Sequence, residues 1–84
     1  MKPLIILFGL LVSLHASCSR DLDKMILYND LALDKFKQGN EQMANYYWAE
    51  ALTTARYAKL SCKSYPNTIP TINTQIELLQ KLVN

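Results

Sequence analysis

The sequence predicts an all-α fold, a small three-helix bundle behind an N-terminal signal peptide. Three observations predict it. Apolar residues recur at spacings of three and four along three separate stretches, and no stretch alternates as a strand does. Gly39 and the run Ser64-Tyr65-Pro66-Asn67 divide those stretches. The chain has 84 residues, half of them hydrophobic. That length fits one domain at most, with a modest core that often needs a staple or a partner.

The first element is the export segment. Met1-Lys2 gives a short positive start, and Pro3 to Leu14 follows without a charge. His15-Ala16-Ser17 closes the run before Cys18. A basic start, an apolar run of about a dozen residues and a small-residue exit are the layout of a secretory signal. The run falls short of the about 20 residues that a spanning helix needs. Residues 1–17 are therefore read as signal peptide and 18–84 as one helical domain. Removing residues 1–17 leaves 67 residues, with eight basic side chains against seven acidic ones. His15 is the only histidine and leaves with the signal.

The first domain helix is expected over about 20–38. Ser19 is its expected N-cap, with Asp21 and Asp23 in the first turn, where the helix dipole favours negative charge. Leu22, Met25, Ile26, Ala32, Leu33 and Phe36 form one broad apolar stripe, and Leu27, Tyr28 and Leu31 a second flank. Lys35 and Lys37 sit in the last turn, and Gly39 stops the helix.

The second helix is expected over about 40–61, capped by Asn40. Ala44, Trp48, Ala51, Ala55 and Ala58 share one face, and such small residues let a neighbouring backbone approach closely. Met43, Tyr47 and Leu52 widen that face. The third helix is expected over about 69–83, with Thr68 as cap and Pro70 tolerated in the first turn. Ile69, Ile72, Ile76, Leu79 and Val83 set its apolar face, and Glu77 and Lys81 form an i,i+4 pair.

Cys18 carries two competing expectations. Leu14-His15-Ala16-Ser17-Cys18 resembles the lipobox of bacterial lipoproteins, with Ala16 and Ser17 in the two small positions and His15 where an aliphatic residue is usual. The resemblance implies lipid attachment at Cys18, hence a membrane-anchored protein on the periplasmic side of a bacterial envelope. The other cut falls after Ala16 and keeps the cysteine as a side chain. In an antiparallel hairpin Cys18 and Cys62 fall at the same end, and exported compartments favour disulfides. Lipidation and a Cys18–Cys62 bridge exclude each other, because both use the sulfur of Cys18.

The first two helices also resemble one tetratricopeptide unit, a helix–turn–helix of about 34 residues. Tyr28 and Leu31 fit its first helix, and Ala44, Trp48 and Ala51 its second. Ala32 stands where glycine is usual, Lys35 where tyrosine is usual, and Arg56 where the closing proline falls. The resemblance implies a protein-binding role.

Catalytic chemistry finds no support in these residues. Without a histidine in the domain, serine–histidine and cysteine–histidine pairs are excluded, as is a histidine-based zinc site. No glycine-rich phosphate loop is present. Asp30 and Asp34 share a helix face, but such a pair reads as a solvated surface. No cofactor is expected, and the near-neutral charge gives no footprint for nucleic acid. The surplus is aromatic. Tyr46-Tyr47-Trp48 are consecutive and span about 200° of a helix, so they cannot all face one core. Tyr46 and Tyr57 lie off the alanine face and are the candidate partner contacts. The expected function is a small exported, membrane-anchored adaptor that binds another envelope protein. The alternative is a soluble secreted effector or inhibitor, stapled through Cys18 and Cys62.

Overall fold

The structure, a computed structural model, describes the backbone of residues 2–83 and the side chains of residues 17–83. The run read above as a signal peptide therefore lies, in the side chains of residues 1–16, outside the described residues. Three helices follow one another: α1 (Lys2–Lys37), α2 (Glu41–Ser61) and α3 (Ile69–Val83), with a single 3₁₀ turn at Pro66–Thr68 before α3. Among the described residues there is no strand, so the fold is the small all-α three-helix bundle that the periodicity predicts.

The α1–α2 connection follows from Gly39. Its φ is +82°, in the left-handed region where glycine carries no Cβ penalty. Around it the Asn40 amide donates to the Lys35 carbonyl at 2.9 Å and the Gly39 amide to the Phe36 carbonyl at 3.0 Å. These are the two bonds of a Schellman motif. Asn40 then caps α2, its side-chain oxygen accepting from the Met43 amide at 3.2 Å. One residue thus closes one helix and opens the next.

Two expected caps are corrected. Ser19 does not begin a helix, because α1 runs through it. No glycine or proline stands between Leu10 and Gln38 to interrupt the backbone. Asp21 is consequently no first-turn residue. Its carboxylate instead accepts a hydrogen bond from the Ser61 hydroxyl at 2.7 Å, across to α2. Thr68 does not cap α3 either. Its hydroxyl donates to the Tyr65 carbonyl at 2.7 Å, which fixes the 3₁₀ turn. Pro70 occupies the second position of α3, where its missing amide hydrogen costs nothing.

α2 is the central helix. Ala44, Ala51, Ala55 and Ala58 are fully buried, as the shared-face reading requires. Around them lie two clusters. Met25, Leu52 and Leu79 join Ala51 and Ala55 in one. Cys18, Cys62 and Ile72 join Ala58 in the other, towards the opposite end of the hairpin. Cys18 and Met25 of α1 thus share levels with Ile72 and Leu79 of α3, so α1 and α3 run in the same direction. α1 packs on α2 and α2 on α3, but no Cα of α1 lies within 8 Å of one in α3. That spacing leaves a groove between the two outer helices.

Candidate functional site

The stapled end comes first. Cys18 of α1 and Cys62, the C-cap of α2, are joined by a disulfide with Cα atoms 4.8 Å apart. The separation is normal for a bridge. Both residues are buried against Ala58 and Ile72. The Ser61–Asp21 hydrogen bond runs beside the bridge, one residue before Cys62 and three after Cys18. The structure therefore brings together the two cysteines that the sequence placed at one end of the hairpin. The sulfur of Cys18 is already bonded, and a lipid would need that same atom.

The second feature is the outer ridge of α2. Tyr46 and Tyr57 are both exposed, at 55% and 62%. They lie 11 residues apart, three helical turns, and so share one side of α2. Leu60, one turn beyond Tyr57, is exposed to 72%, more than any other large apolar side chain among the described residues. Arg56 is exposed beside this pair, while Lys59, about 160° around α2 from Tyr57, and Lys63, in the turn after Ser61, are exposed at the same end. Sequence reasoning missed Leu60, although its spacing of three from Tyr57, off the alanine face, marks it. The rest of the aromatic run turns inward. Tyr47 meets Tyr46 edge-on at 5.3 Å and stacks on Tyr28 of α1 at 6.3 Å. Trp48 packs at 5.7 Å from Phe36.

The third feature is the groove between α1 and α3, about 660 Å³ in volume. Leu22, Ile26 and Asn29 line one wall, and Thr71, Gln75, Leu78 and Leu82 the other. Leu33 and Phe36 extend the first wall towards Trp48. At mid-height the Asn29 amide nitrogen donates to the Gln75 side-chain oxygen at 3.2 Å, and also to the Met25 carbonyl at 3.0 Å. The broad apolar stripe read along the first helix is thus only partly covered. Met25 and Ala32 are buried, while Ile26, Leu33 and Phe36 are each about half exposed.

Asp30 and Asp34 are exposed on α1, and Asp34 accepts from the Gln38 side chain at 3.1 Å. Among the described residues no three metal-ligating side chains come together, and no helix is long and apolar enough to cross a membrane. The chain matches no family model, no curated protein and no solved structure. Its functional reading therefore rests on its own surfaces.

Proposed function

We propose that this chain is an exported, disulfide-stapled helical interaction module that binds an acidic surface of another envelope protein through the outer ridge of α2. The observation that carries this reading is the exposed Tyr57–Leu60 pair with the exposed Arg56 beside it on α2. Tyrosine and arginine are among the residues enriched at interface hot spots. The tetratricopeptide-like pattern of the α1–α2 hairpin supports a binding role, and the absence of histidine from 18–84 argues against catalysis. Of the two fates for Cys18, this reading takes the bridge over the lipid, because a bonded sulfur accepts no acyl thioether. The protein then acts as a diffusible module rather than an anchored one.

A photo-crosslinking residue at Tyr57 or Leu60, in cells that export the chain, tests the reading. A discrete adduct with a different protein is expected, and it should vanish when Arg56, Lys59 and Lys63 are changed to glutamate. Asn73, exposed on α3, is the control position. No adduct from the ridge, or equal adducts from Asn73, would overturn the proposal.

A further inference from the structure

We infer that α3, with the turn that leads into it, is a lid over the Cys18–Cys62 disulfide. A thiol reductant reaches the bridge only when α3 lifts off α2, and the α1–α2 hairpin stays folded meanwhile. This rests on the bridge of the proposed stapled module and not on its partner at the α2 ridge.

The cover of the bridge comes from α3. Cys62 is fully buried, and Cys18 keeps 6% of its surface. Ala58 of α2 and Ile72 of α3 are buried with them, and Leu22, Tyr65, Ile69 and Ile76 pack against that cluster. Of these six covering residues, four follow Cys62 in the chain. With α3 lifted away, Leu22 and Ala58 alone remain beside the sulfurs. A depression of about 460 Å³ reaches Cys18 from solvent, between Ser19 and Leu22 on α1 and Tyr65 and Thr68 in the turn. Its second wall belongs to the segment that leads into α3, so it widens when α3 leaves.

α3 is also the element that can leave alone. The loop closed by the bridge runs from Cys18 to Cys62 and encloses α2 and the part of α1 after Cys18. α3 lies outside that loop, so the cross-link takes no freedom from it once it has undocked. Ile72 and Leu79 are the buried residues of α3, against six on α2. The backbone of α3 approaches α2 and not α1. Side chains make its link to α1, in the Asn29–Gln75 hydrogen bond at 3.2 Å and the cluster that holds Met25 and Leu79. The exposed Lys63 and Ser64 join it to the staple as a hinge. An element with so little burial opens at a lower free energy than the whole domain. The stapled hairpin keeps Met25 against Ala51 and Ala55 throughout.

Reduction by a dithiol defines what the opening must admit. One thiolate of the reagent attacks a bridge sulfur, the S–S bond breaks, and the other cysteine leaves as a thiolate. The second thiol of the reagent then attacks its own sulfur in the mixed disulfide. A cyclic disulfide closes and the first cysteine is released. Two electrons pass from the reagent to the bridge, and the two protons of its thiols end on the cysteines. The attacking sulfur has to touch a cysteine sulfur, and burial under Ile72 shuts out that contact while α3 is docked.

The test times the reduction of the oxidised chain by excess dithiothreitol without denaturant, through alkylation and intact mass. Thiol titration beforehand should find no free thiol; free thiols would overturn the bridge and the stapled module with it. Reduction should be far slower than in the guanidinium-unfolded chain. Leu79 lies about two turns of α3 from Ile72, in the other cluster. Leu79→Ala should therefore accelerate reduction roughly a hundredfold by loosening α3 without uncovering the bridge. If that variant does not fold, Val83→Ala, partly buried on the same cluster about three turns from Ile72, should accelerate it severalfold. Gly39→Ala strains only the α1–α2 turn, where its Cβ meets nothing within 4 Å. It should lower Tm yet leave the reduction rate unchanged, because that turn stays formed when α3 lifts. A roughly fivefold acceleration by Gly39→Ala would mean that the whole domain must unfold, and would overturn the lid. A rate that none of these variants moves would mean direct attack through the depression beside Cys18, and would overturn it too. Either result leaves the crosslinking test of the α2 ridge untouched.

Discussion

Reducing the Cys18–Cys62 bond should remove much of the domain's stability. The bridge spans a sequence separation of 44. On the chain-entropy estimate, closing a loop of that size lowers the entropy of the unfolded chain by an amount worth about 4 kcal/mol at 25 °C. The 67 residues from Cys18 onward, as one folded unit, have a total stability on the order of 3–10 kcal/mol at the usual value per residue. The bond therefore contributes roughly half or more of what keeps the fold together. In temperature, at about 7 °C per kcal/mol for this size, its loss corresponds to a fall of about 25–30 °C in Tm. Reduction is a cleaner perturbation than substitution, since both thiols stay buried against Ala58 and Ile72 and no cavity opens.

The assay is guanidinium unfolding followed by far-ultraviolet circular dichroism, oxidised against reduced, with the thiols blocked after unfolding to confirm each state. Oxidised and reduced midpoints should separate widely. The reduced chain should also show the larger m-value, because its unfolded state, no longer cross-linked, exposes more surface. A reduced protein within about 1 kcal/mol of the oxidised one would refute the loop-entropy reasoning for this bridge. The two helices would then be holding that end through the Ser61–Asp21 hydrogen bond and apolar contact alone.

Three further outcomes are expected. Intact mass of the mature chain should show a loss of two hydrogens and no acyl addition, placing Cys18 in the bridge; an acyl mass on Cys18 would return the protein to the anchored class. Gly39→Ala should cost about 1 kcal/mol in thermal unfolding, all of it conformational, because the residue sits at φ +82° while a Cβ there meets nothing within 4 Å. Leu79→Ala should destabilise by about 3 kcal/mol, since that side chain is 1% exposed between α3 and α2, whereas Leu82→Ala, at 46% exposure, should change stability by under about 1 kcal/mol, both read by thermal unfolding.

Most of the fold was legible because the signals were local. Apolar spacing marked all three helices, the glycine after Lys37-Gln38 marked the turn, and the alanines marked the buried face of α2. The two wrong caps had one cause. Ser19 and Thr68 are good caps by type, yet capping depends on where the backbone leaves the helix, which side-chain type does not fix. The disulfide was legible only as one of two fates for Cys18: a hairpin brings its open ends together, but the residues before Cys18 read equally as a lipid-attachment site. The groove was not legible. Periodicity shows that Ile26, Leu33 and Phe36 lie on an apolar stripe, but which part of it a third helix covers depends on how α3 sits on α2. The stripe is wider than α2 and α3 together can bury.

The staple also bears on the groove. Either cut that the sequence allows, after Ala16 or after Ser17, leaves Cys18 within the first two residues of the mature chain. A helix end is where fraying concentrates, because its first amides lack partners and open at little free-energy cost. If the chain is cut there, Leu22 lies about one turn from the new start of α1, and it packs on both core clusters and lines the groove. Fraying would therefore dissolve one end of the groove wall without unfolding the domain. The bridge to Cys62 prevents this by holding the Cys18 backbone 4.8 Å from that of a residue anchored on α2. Reduction should then act twice. It lowers global stability through the unfolded chain, and it loosens the Leu22–Ile26 end of the groove in the folded one. Hydrogen exchange separates the two effects: in the reduced protein, amides of residues 21–26 should lose protection by a larger factor than those of Ala51 to Ala55. Equal losses along both helices would mean that the staple acts on the unfolded state alone.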